Sequence, residues 1–258
     1  ALALFFTSAP HSQASRFDLE KPGSYEIGQY IDYWQDPTTD HSLIDVSRLS
    51  EWQSTENANI NLGISASPFW FKTTINLQSN EQAWFVKITY PPLDHIELYL
   101  CQQEVISNID TECHLTQVGD RLPFDQRARR NPNYIIPITL QPGNNFLYIK
   151  VITDGSYQLP ITILDQQSLD NYLTSNDFFR GAYLSLMLVM TLYNFFIFIM
   201  TRSSTYLFYS GFVFSFALFH MAYEGSGFQF LWPQWPSFNQ YAMPIAFALN
   251  QVFTLLFV

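Results

Sequence analysis

Residues 181–258 carry almost no charge, and this feature limits the possible folds more than any other. The only formally charged residues in this stretch are Arg202 and Glu224, and phenylalanine is frequent in it. Before residue 181 the sequence is polar and acidic, with proline, glycine and asparagine between short apolar runs. This contrast predicts a water-exposed domain followed by a segment embedded in lipid.

Three apolar runs in the second half have the composition of transmembrane helices. A helix rises about 1.5 Å per residue, so about 20 residues cross the hydrocarbon core of a bilayer. Trp232 and Trp235, between the second and third runs, suit the membrane interface, where one edge of the ring stays hydrated. Because the sequence ends inside the third run, we expect the chain to be truncated. The predicted spans are 178–200, 206–223 and 241–258, joined by the short segment 201–205 and the loop 224–240.

Polar groups are rare in these spans. Ionisable side chains are costly in lipid, so they mark solute or proton paths where they occur. His220 and Glu224 lie near the end of the second span, and Asn194 lies in the first. We expect Asn194 to hydrogen-bond between helices. The spans are therefore predicted to form a scaffold rather than a transport path.

The N-terminal residues are similar to the end of a signal peptide. Residues 1–6 are apolar, and Ser12, Gln13 and Ala14 place small residues at the positions that a signal peptidase reads. We predict cleavage after Ala14, with a disordered or strand-forming terminus as the alternative. If the first domain is exported, the first span runs inward and Arg202 lies in the cytoplasm.

The two cysteines also fit an exported domain. Cys101 and Cys113 bracket a polar, turn-prone stretch and are positioned to close a hairpin. A disulfide over a loop of this length would stabilise the fold by about 3 kcal/mol. Two reduced, buried thiols would give the same cysteine count, so the pairing stays open at this point.

Alternating apolar and polar residues predict that the first half is mainly β. In 69–77, Phe69 and Phe71 share one face, whereas Trp70 and Lys72 share the other. Pro91 and Pro92 interrupt the pattern, because proline cannot donate a ladder hydrogen bond. Short strands of this kind predict an antiparallel β-sandwich, jelly-roll-like, followed by α-helical transmembrane segments. The expected strands are 25–34, 69–77, 83–90, 95–100, 134–140, 145–153 and 157–164, with a short helix at 41–49.

The expected organisation has four parts. Residues 1–14 are a signal-peptide remnant, and residues 15–166 form the exported jelly-roll domain. A helical connector, 167–177, has no glycine or proline and leads into the membrane. Residues 178–258 hold the first three transmembrane helices of a longer bundle.

Several short segments resemble one family of bacterial receptors. Segments 67–72 (SPFWFK), 90–99 (YPPLDHIELY), 119–124 (GDRLPF) and 159–161 (LPI), with Arg127, are similar to a type-two extracellular domain. That domain belongs to the seven-transmembrane receptors with diverse intracellular signalling modules. Segments 181–194 and 225–233 resemble the start of the same family's membrane bundle. The order of these segments extends the resemblance over almost the whole chain from Tyr25 onward.

The resemblance implies an architecture and a cellular place. It implies a carbohydrate-binding-like jelly roll in the periplasm, seven helices in the bacterial inner membrane, and a cytoplasmic output. The output in this family is commonly a diguanylate cyclase or a histidine kinase, and neither is present in this sequence.

Aromatic and basic residues are the candidate ligand contacts. A sugar-binding site stacks aromatic rings on the apolar side of a pyranose and fixes hydroxyl groups with polar side chains. Aromatic residues in strands are more often core residues, and the basic run near Arg127 is interpreted as a solvated hairpin. Asp120 and Arg121 are expected to brace their loop. The candidates are Tyr30, Trp34, Trp52, Trp70, Arg121 and Arg127, with Tyr33 and Trp84 as further aromatic positions.

No pattern indicates catalysis, a cofactor or a metal. Asp94 and Glu97 have no identifiable partner for acid–base work, and His41, His95 and His114 lack metal-ligand spacing. The net charge of −10 argues against nucleic acid as a partner. We therefore expect this fragment not to be an enzyme.

The leading functional hypothesis is a transmembrane signalling receptor. A small-molecule ligand, with a carbohydrate as the leading candidate, would bind the periplasmic domain and shift its population between two arrangements. This shift would change how the connector is placed relative to the first helix. The lipid bilayer is the expected environment, and a homodimer is considered. The alternative is a non-signalling, membrane-anchored protein that docks a partner or binds carbohydrate. A membrane-tethered carbohydrate-active enzyme is the third hypothesis, and it requires a carboxylate pair in a cleft.

Overall fold

The computed structural model describes residues 15–55, 57–78, 83–105 and 113–257. The expected signal-peptide remnant, 1–14, lies outside the described residues. Within the described ranges the chain forms β-sheets up to Asp165 and helices from Gln166 onward. The strands are β1 (Arg16–Leu19), β2 (Ser24–Glu26), β3 (Asp32–Gln35), β4 (Gln53–Ser54), β5 (Ile60–Ile64), β6 (Phe69–Leu77), β7 (Trp84–Ile88), β8 (His95–Cys101), β9 (Cys113–Val118), β10 (Tyr134–Ile138), β11 (Gly143–Ile152), β12 (Ser156–Leu159) and β13 (Ile161–Asp165).

Two sheets and a short ribbon make up the β domain. The larger sheet has seven strands in the order β4-β3-β6-β11-β8-β9, with β1 paired to the second half of β6. The smaller sheet has the order β10-β7-β13-β2, and β12 pairs with β5 in the ribbon. All pairings are antiparallel except β1 with β6. The predicted antiparallel, sandwich-like fold is confirmed.

The core lies between the two sheets and follows the predicted alternation. Phe71 and Ile75 of β6 are buried with Val86 and Ile88 of β7 in one apolar cluster. Trp70 points to the opposite face of the larger sheet and belongs to a separate cluster. Burial of this apolar surface, at about 25 cal/mol per Å², is the main term that stabilises such a domain.

Two predicted strands are wrong in their extent. The strand expected at 157–164 is divided between β12 of the ribbon and β13 of the smaller sheet. The first predicted strand is divided as well. Residues 25–34 were expected to be one strand, but the structure divides them into β2, a 3₁₀ helix at Gly28–Tyr30, and β3. The chain leaves the smaller sheet and enters the larger one here, which alternation along the sequence cannot show. Gly28 permits the crossing, because a Cβ there would lie 1.9 Å from the carbonyl oxygen of Ala58.

The helical half begins at a side-chain cap. Asp165 accepts a hydrogen bond from the amide of Ser168 at 3.1 Å, which satisfies one of the free N–H groups at the start of the helix. Residues 167–177 belong to this helix, which continues into the membrane segment without a break. The helices are α1 (Leu43–Ser47), α2 (Gln166–Thr201), α3 (Ser204–Tyr223), α4 (Ser226–Phe230) and α5 (Pro236–Phe257).

By length and composition, α2, α3 and α5 are suited to cross a membrane. The third of these begins earlier than the expected 241, because Pro236 occupies the first turn of α5, where its missing N–H costs nothing. The predicted loop 224–240 also contains the short helix α4.

The contacts between these helices differ from the sequence expectation. Asn194 does not bridge helices: its amide donates to Met190 O in its own helix at 2.8 Å. Ser210 instead donates to Thr191 O in α2, at 2.9 Å, and Asn250 of α5 donates to Phe212 O in α3, at 3.1 Å. These bonds replace lost water contacts where lipid offers none.

Candidate functional site

Three of the six aromatic candidates come together on the outer face of the larger sheet. Trp34 pairs in register with Trp70, and Trp52 packs beside them. Trp70 is only 1% exposed, and its ring stacks on Tyr99 with centroids 6.0 Å apart. Trp70 therefore has no open face for a ligand, because α1 and its flanking residues cover this cluster.

The remaining aromatic candidates lie elsewhere. Tyr30 packs on Phe17, with ring centroids 5.3 Å apart, at the edge of the core. Trp84 is 3% exposed and belongs to the core between the sheets. Tyr33 is partly buried and packs against this core. The structure does not bring these residues to the group around Trp70.

A polar cleft of about 290 Å³ lies on the same outer face. Lys72 places its ammonium 4.3 Å from the centroid of the Trp52 ring. Burial lowers the pKa of Lys72, and attraction to Asp32 and Glu104 opposes this effect. We name this feature the outer cleft; it is lined by Ser15, Arg16, Asp32, Ser47, Lys72, Thr73, Thr74, Glu104, Asn144, Phe146 and Tyr148.

Asp32 forms part of the floor of the outer cleft. It is fully buried and accepts hydrogen bonds from the hydroxyls of Ser15, at 2.6 Å, and Ser54, at 2.7 Å. These bonds tie β4 and the residue before β1 to β3, so the role of Asp32 is structural. The sequence reasoning missed Lys72 as a site residue, although alternation had already placed it on the face of Trp70.

A second cleft, of about 510 Å³, lies next to the disulfide. Cys101 and Cys113 are opposite each other in the β8–β9 pairing and form a disulfide. Gln102, His114 and Thr139 are the polar side chains in the described lining of this cleft. It is more apolar in character than the outer cleft and has no charged group in that lining.

Arg127 is not the solvated residue that the sequence suggested. Its Nη1 donates to the carbonyl oxygens of Asn131, at 3.0 Å, and Pro132, at 2.6 Å. Its guanidinium carbon lies 4.5 Å from the ring centroids of both Phe124 and Tyr134. The charge is thus held among aromatic faces, a cation–π arrangement.

This arginine lies where the β domain contacts the membrane helices. The amide of Phe124 donates to Pro233 O at 3.1 Å, and Gln229 donates to Arg130 O at 3.0 Å. Phe124 also meets Phe228 of α4 edge to face, with centroids 5.4 Å apart. We name this contact, between residues 120–132 and residues 225–239, the junction.

Arg121 braces its loop through its side chain, whereas Asp120 does so only through its backbone. Arg121 pairs with Asp94 at 3.2 Å and with Asp154. Asp120 donates its backbone N–H to Leu93 O at 2.9 Å. These contacts fix the loop that carries the β-domain side of the junction.

The first turns of α2 form a second connection between the halves. Leu169 is fully buried against Phe85, Ile135 and Leu164 of the smaller sheet. Tyr172 accepts a hydrogen bond from Asn133 at 2.7 Å, and Lys87 lies 3.8 Å above its ring. The start of α2 is therefore packed on the β domain.

The described residues contain no group of three or more His, Cys, Asp or Glu side chains that could hold a metal ion. Asp94 and Glu97 do not form a facing carboxylate pair, since Asp94 contacts Arg121 whereas Glu97 accepts from Tyr99 and Gln117. Neither of these two carboxylates therefore serves the other as an acid–base partner.

Comparison with known proteins places both halves in one family. The sequence model of the 7TMR-DISM extracellular 2 domain matches residues 28–165. The model described as 7TM diverse intracellular signalling matches residues 176–258. No curated protein matches the chain.

One similar solved structure is TmCBM61 in complex with beta-1,4-galactotriose. The match has 12% sequence identity and a TM-score of 0.29, and it covers 56% of this chain and 95% of that chain. A likeness this weak carries no argument. The two family matches follow each other in the order expected from the motifs. The chain therefore belongs to the seven-transmembrane receptors with diverse intracellular signalling modules, as an extracellular β domain followed by the start of the membrane region.

Proposed function

We propose that this chain is the sensory and first membrane part of a bacterial inner-membrane receptor. Its periplasmic β domain binds a small carbohydrate and transmits the resulting conformational change to the helices. The helices control a cytoplasmic diguanylate cyclase or histidine kinase. The observation that carries the proposal is the double connection between the halves. The β domain packs on the start of α2 and also on α4 through the junction. Two separate contacts of this kind hold the domain against the helices, as transmission of a movement between them requires.

The outer cleft is the proposed ligand site. Its described lining combines hydroxyl, amide and charged side chains with the rings of Phe146 and Tyr148. Such a mixture suits a neutral sugar, whose hydroxyl groups need both donors and acceptors. Lys72 is the proposed donor, because its ammonium is held in place above Trp52.

Calorimetric titration of the purified chain in detergent with a panel of neutral oligosaccharides tests this site. Lys72→Met should weaken binding of any active sugar at least about tenfold, the usual effect of losing a hydrogen bond from a charged group. Lys150→Met is the matched control, since Lys150 lies 5.2 Å above Trp70 on the same face but outside the cleft lining. If no sugar binds, or if both variants bind equally well, the outer cleft is not the carbohydrate site.

Transmission is tested separately from binding. In the proposed receptor, the active sugar should change amide hydrogen exchange at Phe124, whose N–H bonds to Pro233 across the junction. Exchange within β6 away from the cleft serves as the internal reference. Binding without any change at Phe124 would favour the non-signalling alternative.

A further inference from the structure

Asp120 occupies an unusual place at the junction. Its side chain reaches across to α5, where Asn239 Nδ2 donates to Oδ2 at 3.4 Å. The residue is 8% exposed and lines a cavity of about 90 Å³ between the β domain and the membrane helices. A carboxyl group is thus placed inside the contact through which the two halves meet.

The second oxygen of this carboxyl group has no hydrogen-bond donor. Oδ1 of Asp120 is inaccessible to solvent and unpartnered among the described residues. The side chain of Asp94 lies within hydrogen-bonding range of Asp120. Asp94 already accepts from the Asp154 amide at 2.7 Å and pairs with Arg121. Two carboxylates at this range repel each other, whereas a proton between them would make a hydrogen bond.

The neighbouring cations attract Asp120, but among the described contacts neither forms an ion pair or hydrogen bond with its side chain. Arg121 pairs with Asp94 and Asp154, and Arg127 donates to backbone carbonyls. Tyr134 donates its hydroxyl to Leu93 O at 2.9 Å and is not a partner either. On the membrane side the cavity has no ionisable group in its described lining: Ala222, Gly225, Phe228, Asn239, Gln240 and Met243.

The electrostatic surroundings agree with this geometry. Burial, followed by the negative charge of Asp94, raises the pKa of Asp120 to about 7, against the opposing attraction of Arg127 and Arg121. A carboxyl group in water ionises near pH 4, so the closed junction retains a proton that solvent would remove.

We propose that Asp120 is a proton-binding site within the junction, and that proton uptake there strengthens the docking of the β domain on the membrane helices. The closed junction binds the proton more tightly than an open one, in which water solvates the carboxylate. Docking is therefore favoured at acidic pH and is lost progressively as the pH rises toward and through about 7. The receptor would then respond to periplasmic acidity as well as to its ligand.

The test measures amide hydrogen exchange of the whole chain in detergent at pH 6 and pH 8, corrected for intrinsic exchange rates. In the wild-type protein, protection of Phe124 should fall roughly tenfold from pH 6 to pH 8, whereas β6 stays protected. Asp120→Asn keeps the size and remains neutral, so its protection should be the same at both pH values. Asp18→Asn changes an exposed carboxylate of β1 and should leave the wild-type pH response intact.

Equal protection of wild-type Phe124 at the two pH values would overturn the proposal, as would an unchanged pH response in Asp120→Asn. If Asp120→Asn loses protection in β6, the variant is unfolded and does not report on the junction. The same exchange measurement on Asp94→Asn then tests the proposal. Removing the neighbouring charge should lower the pKa of Asp120, so the fall in Phe124 protection between pH 6 and pH 8 should become smaller, and an unchanged fall would overturn the proposal. The measurement uses neither sugar nor output, so it stands or fails independently of the proposed function.

Discussion

Arg127 braces the β-domain side of the junction through contacts that a lysine does not reproduce. Its planar guanidinium donates to two carbonyl oxygens while its faces lie against Phe124 and Tyr134. Phe228 of α4 is also near, with its ring centroid 5.7 Å from the guanidinium carbon. Lysine has a compact ammonium that neither stacks on two rings nor offers the same fork of donors.

We expect Arg127→Lys to lower the free energy of unfolding of the β domain by about 1.5–3 kcal/mol, the range for hydrogen bonds from charged groups. Denaturant unfolding of the chain in detergent measures this change. The matched control is Arg130→Lys, because the side chain of Arg130 is 67% exposed in its pairing with Asp125. Its effect should stay below about 0.5 kcal/mol. Equal losses in the two variants would contradict the role assigned to Arg127.

Helix α2 and the junction together fix the β domain at two places. Leu169, Tyr172 and Leu173 pack on the smaller sheet, and the same helix continues to Thr201. A helix turns about 100° per residue, so its length between the two halves sets their relative rotation. A continuous helix transmits such a rotation, whereas a flexible linker would dissipate it.

Inserting two glycines after Leu173 should open the junction while leaving the β domain folded. If the helix persists, the insertion rotates one half by about 200° relative to the other; if it breaks, the two halves are uncoupled. Hydrogen exchange should show loss of protection at Phe124 and unchanged protection in β6. The control is the double substitution Thr174→Gly and Ser175→Gly, which changes two exposed positions without shifting the register. Loss of Phe124 protection in the control, or its retention in the insertion variant, would argue against this geometry.

The whole molecule has its β domain at one end of the helical bundle. The junction joins that domain to the connection between α3 and α5, so both lie on one side of the membrane. The turn between α2 and α3, at Arg202 and Ser203, lies at the other end of these helices. The predicted topology places this turn in the cytoplasm.

A cysteine at Ser203 should therefore resist a membrane-impermeant thiol reagent in intact cells and react after permeabilisation. A cysteine at Ser237, at the start of α5, should react in intact cells. Both native cysteines are held in the disulfide, so the introduced thiol is the reactive one. The reverse labelling pattern would show that the β domain faces the cytoplasm.

The sequence by itself determined the two-part organisation, because local composition and alternation decide whether a segment suits water, a sheet or lipid. The lack of charge after residue 181 indicated the spans, and the alternation in 69–77 assigned Phe71 to the core and Trp70 to the outer face. Short motifs were sufficient to indicate the family. Each of these properties depends on residues that are close together in the chain.

Only the tertiary structure decided how distant segments meet. Arg127 looked like a surface residue because Phe228 becomes its neighbour only after folding, and because the sequence does not show the turn geometry that places Phe124 and Tyr134 against its guanidinium. The outer cleft likewise combines β1, β3, β6 and β11, and Asp120 meets Asn239 across more than a hundred residues of chain. Such contacts depend on strand order and helix packing, which local periodicity does not specify. For the same reason the sequence could identify a sensor joined to membrane helices, whereas the contacts that link the two halves required the fold.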